Sequence, residues 1–78
     1  MKNKVLHYNI ILRPEVEGGF TVSVPALPGC ITYGADLDEA RKMAYDAIEA
    51  YLVSAKKHGE NVMSDENNLL ATLDITYA

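Results

Sequence analysis

The chain has 78 residues, 49% of them hydrophobic and 23% charged, and a formal net charge of −4; this leaves room for one domain over residues 1–78 and excludes a disordered tail. A uniformly acidic small domain is poorly suited to gripping phosphate backbone, so the balance of charge points to a basic protein partner. A single cysteine excludes an internal disulfide, and apolar runs such as Ile10-Ile11-Leu12 are far too short for a membrane span or a secretory leader, which with the free thiol predicts a cytoplasmic protein.

Residues 4–13 alternate as a strand, with Leu6, Tyr8, Ile10 and Leu12 on one face and Val5, His7, Asn9, Ile11 and Arg13 on the other. Apolar residues on both faces predict a central strand. Pro14 lacks a ladder donor and Glu17-Gly18-Gly19 supplies a turn, so this strand should end near Arg13. The second strand, Phe20 to Val24, directs Phe20, Val22 and Val24 to the core. Pro25-Ala-Leu-Pro28-Gly29 is a rigid loop leading to a third strand, Cys30 to Tyr33, which Gly34 breaks.

Asp36 and Glu39 form a variant capping box, in which Asp36 accepts from the first-turn amides and Glu39 reaches back to the cap amide. A helix therefore begins at Leu37. Leu37, Ala40, Ala44, Ala47, Ile48, Tyr51, Leu52 and Ala55 form its apolar stripe, with Asp38 and Glu39 at the positive end of the helix dipole. Lys56, Lys57 and His58 complement the negative end, and Gly59 supplies the left-handed stop. Glu60 to Asn68 is polar and turn-like. Leu69 to Tyr77 reads as a last strand, with Leu69, Ala71, Leu73, Ile75 and Tyr77 on one face and Leu70, Thr72, Asp74 and Thr76 on the other.

The expected fold is α+β, in the order β-β-β-α-β: a four-stranded mixed sheet of order 3-2-1-4 with the long helix on one face. The uncovered face, with Val5, Ile11 and Leu70 among His7, Asn9 and threonines, is a candidate interface. A core this small leaves association as its main source of added support, so a homo-oligomer, dimer or tetramer, is expected.

This order resembles the first half of the ribonuclease H fold, but two-metal phosphodiester chemistry needs converging carboxylates. The stretch from Val5 to Leu12 carries no acid, and Asp74 falls on the face pointing away from the helix. No metal, no cofactor and no enzymatic activity are expected. Cys30 admits two readings, a nucleophile with His7 or His58 as base, or a small buried apolar residue; no second motif accompanies it. His7 is either a solvated strand residue or an interface contact. The helix acids Asp38, Glu39, Asp46 and Glu49 alternate with Arg41 and Lys42, as a solvated face or a docking surface would.

Gly18-Gly19-Phe20, Pro25-x-Leu27-Pro28-Gly29-Cys30, Gly34 and Glu39-Ala40, in this order and spacing, resemble the signature of the HicB-like antitoxins. The resemblance implies a non-enzymatic antitoxin whose partner is a small basic HicA-type toxin, a ribonuclease that cleaves messenger RNA with a histidine. It would act by covering the toxin's RNA-binding and catalytic surface. The partner-binding candidates are His7, Pro25, Leu27, Pro28, Gly29, Cys30, Asp38 and Glu49. Two departures stand out. Ala26 occupies a position where the family often has an acid, and the chain stops where many members begin a C-terminal module that binds operator DNA. DNA binding by this chain alone is therefore not expected. Two alternatives stand beside the antitoxin: a solitary homo-oligomeric relative without a toxin, and a degenerate ribonuclease-H-like hydrolase.

Overall fold

Three short strands precede a single helix: β1 (Ile11–Pro14), β2 (Phe20–Ser23), β3 (Ile31–Gly34) and α1 (Leu37–Lys57). The computed structural model describes residues 5–62 and 64–78; Lys4, the first residue of the strand predicted from sequence, lies outside them. The strands form one antiparallel sheet in the order β1-β2-β3. In its register Ile11 faces Ser23, Ser23 faces Ile31, Leu12 faces Val22 and Val22 faces Thr32. Pro14 stays in the ladder opposite Phe20, so β1 runs one residue past its expected end. It begins only at Ile11: residues 5–10, expected within the strand, are not part of it, because the ladder with β2 stops at Ser23.

The turn after β1 is closed by the Glu15 amide donating to the Gly19 carbonyl at 2.9 Å and the Gly18 amide to the Glu15 carbonyl at 3.0 Å. Positive φ at Gly18 (104°) and Gly19 (79°) gives this turn its shape. Tyr33 on β3 locks the turn from the side, its hydroxyl donating to the Gly18 carbonyl at 2.9 Å.

Helix α1 starts as its sequence dictates: the Glu39 amide donates to Asp36 Oδ1 at 2.8 Å. The return half of the box differs from expectation, because Glu39 Oε1 accepts from the Ala35 amide at 2.7 Å and not from the cap amide. At the other end Glu60 donates to the Ala55 carbonyl at 2.9 Å and Gly59 to the Lys56 carbonyl at 3.1 Å. Gly59 has the left-handed φ of 68° that this ending requires. The His58 ring Nδ1 lies 2.8 Å from the Ser54 carbonyl and, as the donor, complements the helix C-terminus.

The helix seats on the sheet through small residues. Val22, Ala40 and Ala44 are buried, with Ile10, Leu12 and Phe20 packed around them. Gly34 faces Ala40 so closely that a Cβ there would overlap the Ala40 backbone nitrogen and Cα and lie 2.8 Å from its Cβ. A second cluster, Val24, Leu27 and Cys30, packs against Tyr8, Ile10, Ala47, Ile48 and Tyr51. Leu37, expected in the apolar stripe, is exposed at the helix start.

The four-stranded sheet of order 3-2-1-4 is corrected. The sheet has three strands, β1 is an edge and β2 is the centre. Residues 69–78 carry no strand and are exposed throughout. Alternation marks which side chains would share a face, but a strand also needs a neighbour for its backbone groups. The chain after the helix instead settles beside His7 and Asn9 through Ser64 and Asp65, and the last residues leave from there.

Candidate functional site

The segment after α1 ties the two ends of the domain together. The Asp65 amide donates to the His7 carbonyl at 2.6 Å, and the His7 amide donates to Ser64 Oγ at 2.8 Å. Asp65 is 3% exposed, the buried charged side chain among the described residues. Its carboxylate accepts from the Asn9 amide at 3.2 Å, from Asn9 Nδ2 at 3.1 Å and from Asn68 Nδ2. The Asn68 side chain first, and then Asn9, hold the carboxyl below the usual Asp range, with His7 nearby adding to the effect. Burial of a charge is tolerated here because three N–H donors are aimed at it.

This clamp closes one side of a cavity of about 450 Å³, whose walls include Ala26, Leu27, Pro28, Tyr51, Asp65 and Asn68. The structure thus brings His7 and the Pro25–Cys30 loop to the two sides of one segment. The loop is held by its own hydrogen bonds, Leu27 N–H to the Val24 carbonyl and Cys30 N–H to the Leu27 carbonyl, each 3.0 Å. Leu27 and Cys30 are buried and work as its anchor, while Pro25, Pro28 and Gly29 are exposed at its tip. The burial of Cys30 pushes its thiol up from the usual range, the condition of a structural cysteine rather than a nucleophile.

The remaining candidates lie elsewhere. Asp38 is exposed in the first turn of α1, and Glu49, eleven residues on, is about 16 Å further along the helix axis. Glu49 borders an apolar cleft of about 340 Å³ lined by Leu6, Tyr8, Tyr45, Ile48 and Leu52. Burial pushes the Tyr8 phenol up, with the Asp65 charge acting in the same direction, and the Tyr8 hydroxyl is buried without a hydrogen-bond partner among the described residues.

Among the described residues no group of three or more His, Cys, Asp and Glu side chains is placed to hold a metal ion, and no helix is long and apolar enough to cross a membrane. Asp74 sits in the exposed C-terminal segment. Sequence reading missed Asp65. Its one signal was the Asp65-x-x-Asn68 spacing of a turn inside a run that read as a polar connection, and the Asn68 amide does donate to the Asp65 carbonyl at 3.1 Å.

Residues 8–74 match the sequence profile of the family described as "HicB_like antitoxin of bacterial toxin-antitoxin system". A UPF0150 protein of Thermoplasma acidophilum is 42% identical over 60 residues, covering 77% of this chain and 87% of that protein. One from Archaeoglobus fulgidus is 38% identical over 56 residues, covering 72% and 80%. "Antitoxin HicB 1" of Photorhabdus laumondii is 42% identical over 45 residues, which are 58% of this chain and 29% of that antitoxin.

Proposed function

Because the chain belongs to the HicB-like antitoxin family, we propose that it is a non-enzymatic antitoxin that neutralises a small basic HicA-type toxin by covering the surface with which the toxin binds and cleaves messenger RNA. The observation that carries this reading is the family match, which spans most of the domain. The net charge of −4 supports it. Asp38, Asp46 and Glu49 on the exposed side of α1 offer carboxylates to a basic partner, and opposite charge would raise the rate of encounter. The exposed tip of the Pro25–Cys30 loop and His7 are the proposed shape-determining contacts, held rigid from below by Leu27, Cys30 and the Asp65 clamp. Occlusion needs no catalytic group and no cofactor. It would take place in the cytoplasm, where the free thiol of Cys30 stays reduced.

The test is co-expression with a short basic reading frame found beside the gene. Growth should be restored and the two chains should co-elute, with association slowing as salt is raised. A double charge reversal, Asp46→Lys with Glu49→Lys, should lower the association rate about tenfold. Unrestored growth with no complex would refute the antitoxin reading. Restored growth with an unchanged association rate in the double variant would move the contact off this helix face.

A further inference from the structure

The chain exposes 6834 Å², whereas a compact monomer of its 8.6 kDa mass exposes about 4,700 Å². Its radius of gyration is 14.9 Å, against about 11.5 Å for a compact domain of this length. The C-terminal segment adds apolar surface to it: Leu69, Leu73, Ile75 and Tyr77 are all more than three-quarters exposed. These residues, with Ala71, occupy alternate positions, and Leu70, Thr72, Asp74 and Thr76 occupy the others. The segment has the pattern of a half-buried strand and no surface to lie on.

The same chain offers an edge without an occupant. Ile11 and Arg13 face Ser23 and Thr21 across the β1–β2 ladder, and the next odd position, Glu15, bonds to Gly19 on the β2 side. Odd-numbered residues therefore turn their backbone groups toward β2, and the bonds of His7 and Asn9 to Ser64 and Asp65 continue the same side. Even-numbered residues turn theirs outward. Among the described residues no backbone hydrogen bond is made by Tyr8 or Ile10. Alongside this edge runs the apolar cleft of Leu6, Tyr8, Tyr45, Ile48 and Leu52, with the unpartnered Tyr8 hydroxyl in its wall.

We propose that residues 69–77 of one copy lie along the outer edge of residues 6–12 of a second copy, and reciprocally, with Leu69, Leu73, Ile75 and Tyr77 turned into the second copy's cleft. The occupant is a second copy of this chain for three reasons. The excess surface, about 2,100 Å² per chain, is ample for an obligate dimer, since a standard interface takes about 800 Å² from each partner. The incoming segment brings both apolar side chains for the cleft and backbone groups for the edge and the Tyr8 hydroxyl. Its own edge lies on the far side of residues 7–9 from the clamp that fixes Ser64 and Asp65, so the tail must cross its own strand to reach it. Each chain remains three-stranded, and the added pairing is between chains.

The full chain should elute and scatter as twice the 8.6 kDa mass, with slowed amide exchange at Tyr8, Ile10 and alternate residues of 69–77. Replacing Leu73 and Ile75 together by Asp should weaken association roughly a hundredfold or more, as loss of two buried aliphatic side chains requires, and release those amides. Both side chains are exposed within one chain, so the variant keeps its own fold, which its helical circular dichroism checks. Thr72→Lys, on the opposite face, should leave the dimer intact. A monomeric chain would overturn the proposal, whether its tail amides are protected or free. So would a dimer that survives L73D/I75D. No toxin enters these measurements, so their failure is independent of the antitoxin reading.

Discussion

Replacement of Gly34 by Ala isolates the contact on which the helix is seated. The added Cβ would overlap the backbone nitrogen and Cα of Ala40 and come 2.8 Å from its Cβ, where carbon atoms settle at about 3.5–4.0 Å. No side-chain rotation relieves an overlap with backbone, so α1 must retreat from β3 by about 1 Å. Val22 and Ala40 are 0% exposed and Ala44 is 2%, so the retreat loosens the central packing. Overpacking of this kind costs about 1–3 kcal/mol, and more where backbone must move; we expect about 3 kcal/mol. A domain of this size has about 4–12 kcal/mol in all, so the melting temperature should fall by about 12–24 °C. Gly29→Ala is the control: its φ of 79° disfavours a side chain, but nothing lies within 4 Å, and it should cost about 1 kcal/mol. Thermal and urea unfolding followed by circular dichroism measure both. A Gly34→Ala variant no less stable than Gly29→Ala would refute the seating argument.

Asp36→Ala removes the acceptor of the Glu39 amide and should cost about 1 kcal/mol, read from the urea midpoint; an unchanged midpoint would count against the cap. Asp65 titrates below the usual Asp range in the folded chain, so its contribution is complete above the unfolded-state value near pH 4 and is lost as pH falls through the lower folded value. The stability gap between the wild type and Asp65→Asn should therefore be constant near neutrality and close below about pH 4; a gap that widens in acid would reverse the assignment. Cys30 is buried and its thiol pushed up, so a thiol reagent at pH 8 should label the native chain far more slowly than the urea-unfolded chain, and equal rates would contradict its place beneath the loop.

Local chemistry made β2 and α1 legible in the sequence. Phe20, Val22 and Val24 alternate without interruption, and Asp36 and Glu39 mark the helix start with Gly59 just past its end. β3 was legible within a residue, because Gly34 closes the strand as its last member and not as a break. The Pro25–Cys30 loop was placed correctly, but its division into a buried anchor and an exposed tip depends on packing against Tyr51 and Ile48, which no spacing reveals. The fourth strand failed for a related reason. Leu69 to Tyr77 carries the right alternation, and nothing in that alternation says which backbone edge lies within reach. Asp65 was hidden because a run of Ser, Asp, Glu and Asn reads as solvated unless its donors, here Asn9 and Asn68, are known to converge on it.

The clamp has a consequence for the order of events during folding. His7 and Ser64 are 57 positions apart, whereas the sheet and the helix are built from neighbours in sequence. Closing so long a loop costs chain entropy, and that cost falls once the intervening chain has condensed. The strands, the loop and α1 can therefore assemble first, and His7 and Ser64 are joined last. The acidic helix and the loop tip are thus formed before the clamp closes, so the surface offered to a partner exists earlier than the fully tied fold.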